Sequence, residues 1–387
     1  MPLMDPWICA QSDIVVTKHY YVVLRNFTMP NSLLGSSLPI IQAPMAGGIT
    51  TVDLVSEVCE AGGVGSFGFA YSSPTQIHAD LMAAKERTQG PLNANFFIFS
   101  DVEPPAEEEI TAACASLCKL PLGKDVMHSV PKAPYFQDLE AQLAPVWVHK
   151  PSVLTFHFGL PPRSVIERAH SFGMKVGVSA TSLKEAVSIQ DIGCDFIVAQ
   201  GAEAGGHRGT FDPYPHEDQE WNAVDLLKGL CRGVHLPIVS SGGVMTAFDI
   251  AERLASGAAG VQMGTAFLCC HEAGSNEIYR HFLMHEQKRP TVFTRAFSGR
   301  RARGIENVFT KNMEGEKILS FPLQNTLTAQ LRRDAVNASD GEYQSLWAGS
   351  KFHAVQSLSV RDLMKQLSAF GEYLSNRKLV VGEAGKG

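Results

Sequence analysis

The chain has 387 residues, of which 45% are hydrophobic and 19% are charged, and its formal net charge is −6. This composition is ordinary for a globular protein with one large domain or two smaller ones. The weak acidic balance gives no electrostatic footprint for nucleic acid or for an anionic membrane surface. No apolar run approaches the roughly 20 residues of a membrane span. The N-terminus lacks the pattern of a secretory signal, so we expect a cytoplasmic protein.

The eight cysteines form no recognisable framework of metal ligands or disulfides. They contain no C-x-x-C pair, and no close pair is matched by a second pair at zinc-site spacing. Several lie among apolar neighbours, as in SEVCEAG and AFLCCHEAG. We therefore expect buried, reduced thiols and no metal site.

Short apolar runs recur along the chain, and helix-period patterns lie between them. Alternating strands and helices imply a parallel sheet. Eight such units predict an α/β fold of the (β/α)8 TIM-barrel type, with ligands at the carboxyl ends of the strands. An open doubly wound sheet is the alternative. The eight runs are PIIQAP from Pro39, GVGSFGF from Gly63, LNANFFIF from Leu92, SVLTFHFG from Ser152, KVGVSA from Lys175, CDFIVAQG from Cys194, LPIVSSGG from Leu236 and AGVQMGTAF from Ala259.

The pattern changes between residues 269 and 337. Arg, Asn, Gly and Glu become frequent there, and strand-like runs vanish. We predict that residues 1–268 form the main part of the barrel and that 269–337 form a smaller, mainly helical lid domain. Residues 338–387 return to helix-period patterning and are predicted to complete the outer ring of the barrel.

A literal G-x-G-x-x-G run occurs at Gly63, Gly65 and Gly68. A dinucleotide-binding fingerprint needs these glycines after a strand and at the start of a helix. Here they follow a helical pattern and lead into a strand-like run. We therefore interpret them as a turn followed by a closely packed strand, and we reject dinucleotide binding.

Two later stretches with glycines are better placed to bind a ligand. SSGG, which includes Gly242 and Gly243, ends the seventh predicted strand, and QMGT, from Gln262 to Thr265, ends the eighth. The loops after these strands are the usual phosphate site of this barrel, where backbone N–H groups and a helix N-terminus surround the anion. Tight strand-to-helix turns are the structural alternative.

Two amide side chains lie on predicted buried strands, Asn95 in LNANFFIF and Gln200 at the end of FIVAQG. A buried amide costs free energy unless a partner is supplied. Facing the barrel mouth, both could bond a heteroaromatic ring that carries carbonyls and ring nitrogens. The alternative is an internal hydrogen bond within the barrel.

The stretch VAQGAEAGGHRGTF places four glycines and one histidine after the sixth predicted strand. Histidine is the natural general base near neutral pH, so His207 is the candidate catalytic residue. An idle loop histidine is the alternative, and metal binding is disfavoured because no H-x-H or H-x-x-E motif accompanies it. Arg208 could attract an anion or be solvated, and we interpret Glu203 as structural.

These motifs together resemble the nitronate monooxygenase family, formerly called 2-nitropropane dioxygenase, and in particular its class I branch. In chain order they are PIIQAPMAGG, NANFF, VAQGAEAGGHRG, the Gly-Gly after the seventh strand, GVQMGTAFL and AFSGRRARGIEN. They span Pro39 to Trp347, and as an ordered set they are highly specific. The resemblance implies an FMN-bound TIM barrel with a smaller lid domain.

The resemblance also implies which residues serve the site. His207 matches the catalytic histidine of the family. The backbone of residues 43–45 is expected near the isoalloxazine ring of FMN, and residues 262–265 around its phosphate. The expected FMN contacts are Ala43, Pro44, Met45, Asn95, Gln200, Gly205, Gly242, Gly243, Gln262, Met263, Gly264 and Thr265.

The family reaction oxidises a nitronate, the anion of a nitroalkane, with O2 to a carbonyl compound and nitrite, and needs no nicotinamide. The class I branch suggests propionate 3-nitronate as the substrate. His207 could abstract the α-proton of a neutral nitroalkane or stabilise negative charge. Arg208, Arg300 or Arg303 could steer the anion. The chain could form a homodimer, and we expect no nucleic-acid or membrane partner.

Two other functions stay open at this point. An FMN barrel that takes electrons from NAD(P)H, such as a quinone reductase or an enoyl-thioester reductase, shares the AGGH loop. A catalytically inactive barrel that serves as a scaffold would bind no flavin. The complete set of Asn95, Gln200, Gly205, His207 and QMGT argues against the scaffold.

Overall fold

The computed structural model describes residues 33–99, 102–123, 133–213 and 218–375. Cys9 and the outer ends of the predicted segments 1–268 and 338–387 lie outside these ranges. Within them, no helix is long and apolar enough to cross a membrane, and no three potential metal ligands of the His, Cys, Asp or Glu type cluster together. The seven cysteines in these ranges are free thiols, and five of them are buried.

The described residues contain eleven strands. Eight of them, the first six together with the eighth and ninth, fall inside the eight apolar runs identified in the sequence, so those predictions are confirmed. In chain order the strands are β1 (Ile40–Gln42), β2 (Gly65–Gly68), β3 (Leu92–Phe97), β4 (Val153–His157), β5 (Lys175–Ala180), β6 (Phe196–Gln200), β7 (Gly206–His207), β8 (Ile238–Ser241), β9 (Gly260–Met263), β10 (Thr291–Thr294) and β11 (Ala302–Ile305).

The eight predicted strands form one parallel sheet that closes on itself. Its strand order is β1-β9-β8-β6-β5-β4-β3-β2. Closure joins β1 to the residue before β2: the N–H of Gln42 donates to the carbonyl of Val64 (3.0 Å), and the N–H of Val64 donates to the carbonyl of Ile40 (2.9 Å). This closure confirms the (β/α)8 TIM barrel and excludes the open doubly wound sheet.

Helices connect the strands, and side-chain caps mark where several of them begin. Capping boxes form between Ser182 and Glu185 and between Thr246 and Asp249, where they satisfy N–H groups that a first helical turn leaves free. In chain order the α-helices of the described residues are α1 (Val52–Glu60), α2 (Pro74–Arg87), α3 (Glu107–Cys118), α4 (Leu139–His149), α5 (Arg163–Ser171), α6 (Leu183–Ile192), α7 (Ala223–Gly233), α8 (Ala247–Ala255), α9 (Glu277–His285), α10 (Val308–Asn312), α11 (Leu323–Leu327), α12 (Ala329–Asn337) and α13 (Val360–Leu367).

The last helix, α13, packs against α1 and α8. It buries Val360, Leu363, Met364 and Leu367, which recur with the spacing of one helical face. α13 thus lies between the helices of the first and last barrel units. The division of the chain at residues 268 and 337 stays a prediction.

The segment from residue 269 to 337 contains strands that the sequence analysis did not predict. β10 and β11 pair antiparallel, and β11 also pairs with the two-residue strand β7 from the loop after β6. Each of the three has four residues or fewer, too short for a clear alternation of apolar and polar side chains. The expectation of no strands here is wrong, and the segment otherwise holds helices α9 to α12.

A separate apolar core joins this segment to the connection after β3. It contains Cys114 and Leu117 of α3 packed with Phe297, Phe309 and Leu331. The apolar positions of α3 show that one face is buried, but they do not identify the partner. The association of α3 with the 296–343 region was therefore not predictable from its own sequence.

A layer of apolar side chains fills the barrel interior near the amino ends of the strands. Phe196 belongs to this layer and is fully buried. It lies opposite Gly177, across the pairing of β5 and β6. A Cβ atom at Gly177 would lie 2.3 Å from Cζ of Phe196, so the glycine provides the space for the ring.

The G-x-G-x-x-G run forms a turn after α1 and then β2, as predicted. A Cβ atom at Gly65 would lie 2.2 Å from the carbonyl oxygen of Val55, and one at Gly68 would lie 2.6 Å from the nitrogen of Ala46. The glycines therefore allow backbone segments to pack closely. They open no helix, which the dinucleotide fingerprint requires.

We predict that Gly177→Ala lowers the free energy of unfolding by about 1–3 kcal/mol, because the added methyl overlaps the Phe196 ring. Phe196→Leu should relieve part of this cost, so the double variant should be more stable than the sum of the single effects implies. Chemical denaturation of the four proteins measures the coupling. Gly371→Ala is the control, because a Cβ there meets nothing within 4 Å. Additive effects of the first two changes would contradict the packing described here.

Candidate active site

The carboxyl ends of the barrel strands surround a cavity of about 740 Å³. Parallel strands bring residues that are distant in sequence to this one face. His207 lines the cavity, and so does every residue expected to contact FMN, namely Ala43, Pro44, Met45, Asn95, Gln200, Gly205, Gly242, Gly243, Gln262, Met263, Gly264 and Thr265. The structure therefore brings all thirteen residues together.

The loop after β6 is fixed by its two-residue strand. Gly206 and His207 pair with Arg303 and Ala302 of β11. Gly206 has a φ of 76°, a left-handed conformation that favours glycine. This pairing holds His207 between the barrel and β11, on the wall of the cavity.

The imidazole of His207 is hydrogen-bonded to a serine that sequence reasoning missed. Nε2 of His207 lies 2.8 Å from Oγ of Ser298. That Oγ accepts the N–H of Arg300 (3.3 Å) and lies 3.1 Å from the carbonyl oxygen of Arg300. The hydroxyl proton goes either to this carbonyl, which leaves Nδ1 of His207 as an acceptor, or to Nε2, which places the ring proton on Nδ1. Ser298 belongs to AFSGRRARGIEN, a motif that carried no assigned role for it.

Aromatic rings surround the imidazole of His207. The ring centroids of Phe158, Phe321 and Trp347 lie 5.7, 5.6 and 5.6 Å from it, and that of Phe97 lies 6.1 Å away. These rings keep water from much of the imidazole, which disfavours its protonated form.

Burial is the largest cause that lowers the pKa of His207 to about 3, and the charges on His157, Arg300 and Arg332 act in the same direction. Burial also lowers the pKa of His157 to about 4. Nε2 of His157 donates to the backbone carbonyl of His207 (3.2 Å). Both imidazoles are therefore neutral at neutral pH.

The two amides on the buried strands have partners within the protein. Nε2 of Gln200 donates to the carbonyl of His207 (2.9 Å), and its Oε1 accepts from the N–H of Gly209 (2.7 Å). Nδ2 of Asn95 donates to Oγ1 of Thr155 (2.9 Å). The side-chain amide of Gln200 thus shapes the His207 loop, as the internal-bond alternative required. No described residue donates to Oδ1 of Asn95, so this acceptor is available to a ligand in the cavity.

Glycines allow sharp turns and close backbone approach at the ends of several strands. Gly242 and Gly243 follow β8 directly with φ values of 110° and 67°, so the chain turns sharply there. A Cβ atom at Gly205 would lie 2.6 Å from the carbonyl carbon of Ala348. All three glycines line the cavity, and the main-chain N–H groups of glycine turns are suited to bind phosphate.

Uncharged polar groups and one cation complete this wall. Oγ1 of Thr265 accepts the N–H of Gly349 (3.0 Å), which leaves its hydroxyl proton free to donate. No described residue bonds the side-chain amide of Gln262, which lines the cavity. Lys351 also lines the cavity and pairs with Asp249 (2.7 Å).

Arg208 has an internal partner and does not attract a substrate anion. Its side chain is 2% exposed, and its Nε and Nη2 donate to the two carboxylate oxygens of Asp218 (2.9 Å each). The anion-attracting interpretation is therefore wrong. Oε2 of Glu203 accepts the N–H of Ala223 at the start of α7 (2.9 Å), which confirms the structural interpretation of Glu203.

Arg300 and Arg303 do not line the cavity either. The guanidinium of Arg300 lies over the ring of Phe158, 3.7 Å from its centroid. Nε of Arg303 donates to the carbonyl of Ala202 (2.7 Å). Both side chains contact the protein around the site, and neither is placed to steer a substrate.

Several cavity residues escaped the sequence analysis. Arg332 and Arg333 of α12 line the cavity, as do Tyr71, Asn325 and Trp347. α12 is an ordinary polar helix with two buried residues, so its pattern predicts only a surface helix. The available signal was the Arg-Arg pair in a segment predicted to cover the barrel mouth.

Comparisons with known proteins identify the family of this chain. The family model described as nitronate monooxygenase matches residues 32–369. A nitronate monooxygenase from Paraburkholderia phytofirmans is 36% identical over 344 residues, which cover 87% of this chain and 92% of that protein. A probable nitronate monooxygenase from Staphylococcus saprophyticus is 33% identical over 355 residues, which cover 90% of this chain and 99% of that protein.

Solved structures share the architecture. The nitroalkane oxidase from Streptomyces ansochromogenes matches with a TM-score of 0.82 and 31% identity, covering 89% of this chain and 98% of that one. FabK from Thermotoga maritima, at 23% identity and a TM-score of 0.68, shows the shared fold alone. The family match and the relatives above 30% identity, both extending over most of the chain, establish that it belongs to the nitronate monooxygenase family of enzymes.

Proposed function

We propose that this enzyme uses FMN to oxidise alkyl nitronates with O2 to a carbonyl compound and nitrite. The main support for this proposal is that His207 and all the residues expected to contact FMN line the same cavity. The family is generally flavin-dependent. FMN, when bound, supplies the electron transfer between nitronate and O2, which no side chain of the site can supply.

The donor set around the loops after β8 and β9 fits the phosphate of FMN. Gly242, Gly243 and Gly264 line the cavity, Thr265 has a hydroxyl proton to donate, and Lys351 adds a positive charge. The main-chain N–H groups and the ammonium of Lys351 would together bind the phosphate oxygens.

The other polar groups of the cavity fit the uncharged ring system of FMN. The backbone of residues 43–45, Oδ1 of Asn95 and the amide of Gln262 would contact its polar edge. Gln200 would act mainly through the His207 loop, since both ends of its amide are bonded there. All these groups are neutral, which suits a ring that changes charge during redox chemistry.

The low pKa of His207 favours a substrate that has already lost its α-proton. A base with a pKa of about 3 is weak compared with the carbanion of a neutral nitroalkane, so proton removal from carbon would be slow. A nitronate has already lost this proton. His207 would then act as a hydrogen-bond partner to the substrate, positioned by Ser298. Within this class, propionate 3-nitronate is the substrate we propose.

We predict that the purified protein is yellow, releases FMN on denaturation, and consumes O2 with release of nitrite when propionate 3-nitronate is added. Oxygen uptake and a nitrite assay measure the turnover. In the same preparation, NADH should not reduce a quinone or an enoyl thioester at a comparable rate. Steady-state NADH oxidation without turnover of a nitronate would favour the reductase, and a colourless protein would favour the scaffold.

We predict that His207→Asn loses more activity on neutral nitroethane than on pre-formed ethyl nitronate, by about 10²-fold. Turnover of the neutral substrate is slow but still needs a base, whereas the amide of Asn can replace the hydrogen bond to the nitronate. Steady-state kcat/KM values for both substrates measure the difference. Ser298→Ala is the matched variant that keeps the imidazole but removes its hydrogen-bond partner.

Equal losses on the two substrates would contradict this prediction and would mean that His207 removes no proton from the neutral substrate. The pH profile of wild-type nitronate oxidation provides a control. Because the pKa of His207 is about 3, the protonated form is populated only in strong acid, and kcat/KM should show no histidine titration near neutral pH.

A further inference from the structure

Arg332 is a cavity arginine whose charge has no carboxylate partner among the described residues. Its Nη2 donates to the carbonyl oxygen of Asn325 (2.7 Å) and to Oδ1 of Asn325 (2.9 Å). Its Nε is buried and makes no hydrogen bond. Since Arg332 lines the cavity, the guanidinium lies at the wall of the proposed substrate site with part of its donor set unused.

Two other shielded arginines of this chain are paired with carboxylates, whereas Arg280 and Arg303 bond backbone carbonyls. Arg208 forms its two-bond contact with Asp218, and the partly buried Arg289 contacts Glu342 (2.7 Å). A desolvated charge without a counter-ion costs free energy, so proteins normally provide one. Burial also lowers the pKa of Arg332 from its usual value, but an arginine stays protonated near neutral pH. Arg332 therefore has no carboxylate counter-ion among the described residues, and it lies at the wall of the cavity.

The surroundings of Arg332 suit a small anionic ligand. Its charge contributes to the low pKa of His207, so the two side chains interact across the same cavity. Tyr71 and Asn325 line that cavity and offer uncharged donors. A planar guanidinium with free N–H groups is suited to bind the two oxygens of a carboxylate.

We propose that Arg332 binds a carboxylate on the tail of the substrate and so selects nitronates that carry a second negative charge. The inference rests on the proposed nitronate oxidation. In propionate 3-nitronate, one methylene separates the carboxylate from the carbon that bears the nitronate group. The carboxylate would supply the counter-ion that Arg332 lacks, while the nitronate group meets His207.

A competing arrangement places Arg332 on the nitronate oxygens themselves. Both arrangements bind an anion, but they differ for substrates with uncharged tails. Propane-1-nitronate has the same three carbons and no carboxylate. If Arg332 binds the tail, its removal affects propionate 3-nitronate alone, and if it binds the nitronate group, both substrates are affected alike.

The test compares Arg332→Gln, Arg332→Lys and wild-type holoenzyme on the two nitronates. We expect Arg332→Gln to raise the KM for propionate 3-nitronate about 10- to 100-fold, the range of a lost charge-assisted contact, with a small change in kcat. Arg332→Lys should recover part of the loss, because lysine keeps the positive charge but cannot donate two parallel hydrogen bonds to a carboxylate. The KM for propane-1-nitronate should change less than about twofold in both variants, since its tail carries no charge.

Arg333→Gln is the charge-matched control. Arg333 is the neighbouring residue. It also lines the cavity, but it is exposed and its guanidinium bonds Oε1 of Gln330. If general attraction of anions were the cause, removal of either charge would raise the KM for propionate 3-nitronate to a similar extent. That result, or an equal KM rise for both nitronates in Arg332→Gln, would overturn the proposal.

A binding measurement separates this proposal from the proposed function. Malonate or succinate, added to oxidised wild-type holoenzyme, should perturb the flavin absorbance in a saturable way, and Arg332→Gln should weaken this binding about 10-fold or more. If the wild type oxidises neither nitronate, the proposed function fails while the dicarboxylate titration still tests Arg332. Unchanged dicarboxylate affinity in both Arg332 variants would overturn the role of Arg332.

Discussion

The pairing of Gly206 and His207 with Arg303 and Ala302 is the constraint on which the site depends. It ties the loop after β6 to a segment that begins about sixty residues after His207 in the sequence. The same segment provides Ser298 for the imidazole, while Gln200 holds the loop from the barrel side. His207 is thus fixed from two directions, and neither the barrel nor the 269–337 segment alone forms its environment.

The sequence predicted the barrel because buried parallel strands leave strong local patterns. Runs such as FIVAQ in β6 combine β-branched and aromatic residues, and a glycine follows directly. β7 has two residues, and β10 and β11 have four each, so they left no such pattern. The pairing of β7 with β11 is set by tertiary contacts. For the same reason the packing of α3 with the 296–343 region was not predictable.

Site residues that belong to motifs were predictable from the sequence. Residues whose role depends on a partner distant in the chain were not. All thirteen motif residues line one cavity. Arg208 lies beside the histidine in sequence, yet Asp218, ten residues later, takes its charge. Arg332 gave no motif signal because it lies on a polar surface helix. Its proposed role follows from its place at the cavity wall, where it has no carboxylate partner among the described residues. One cavity therefore contains both a neutral histidine and a charged arginine.

The central claim is that this cavity takes electrons from a nitronate and not from a nicotinamide. The direct measurement is the flavin absorbance of the purified holoenzyme under anaerobic conditions, after mixing with propionate 3-nitronate or with NADH. The account predicts rapid reduction of the flavin by the nitronate and an unchanged spectrum with NADH. Rapid reduction by NADH, with no response to the nitronate, would contradict it.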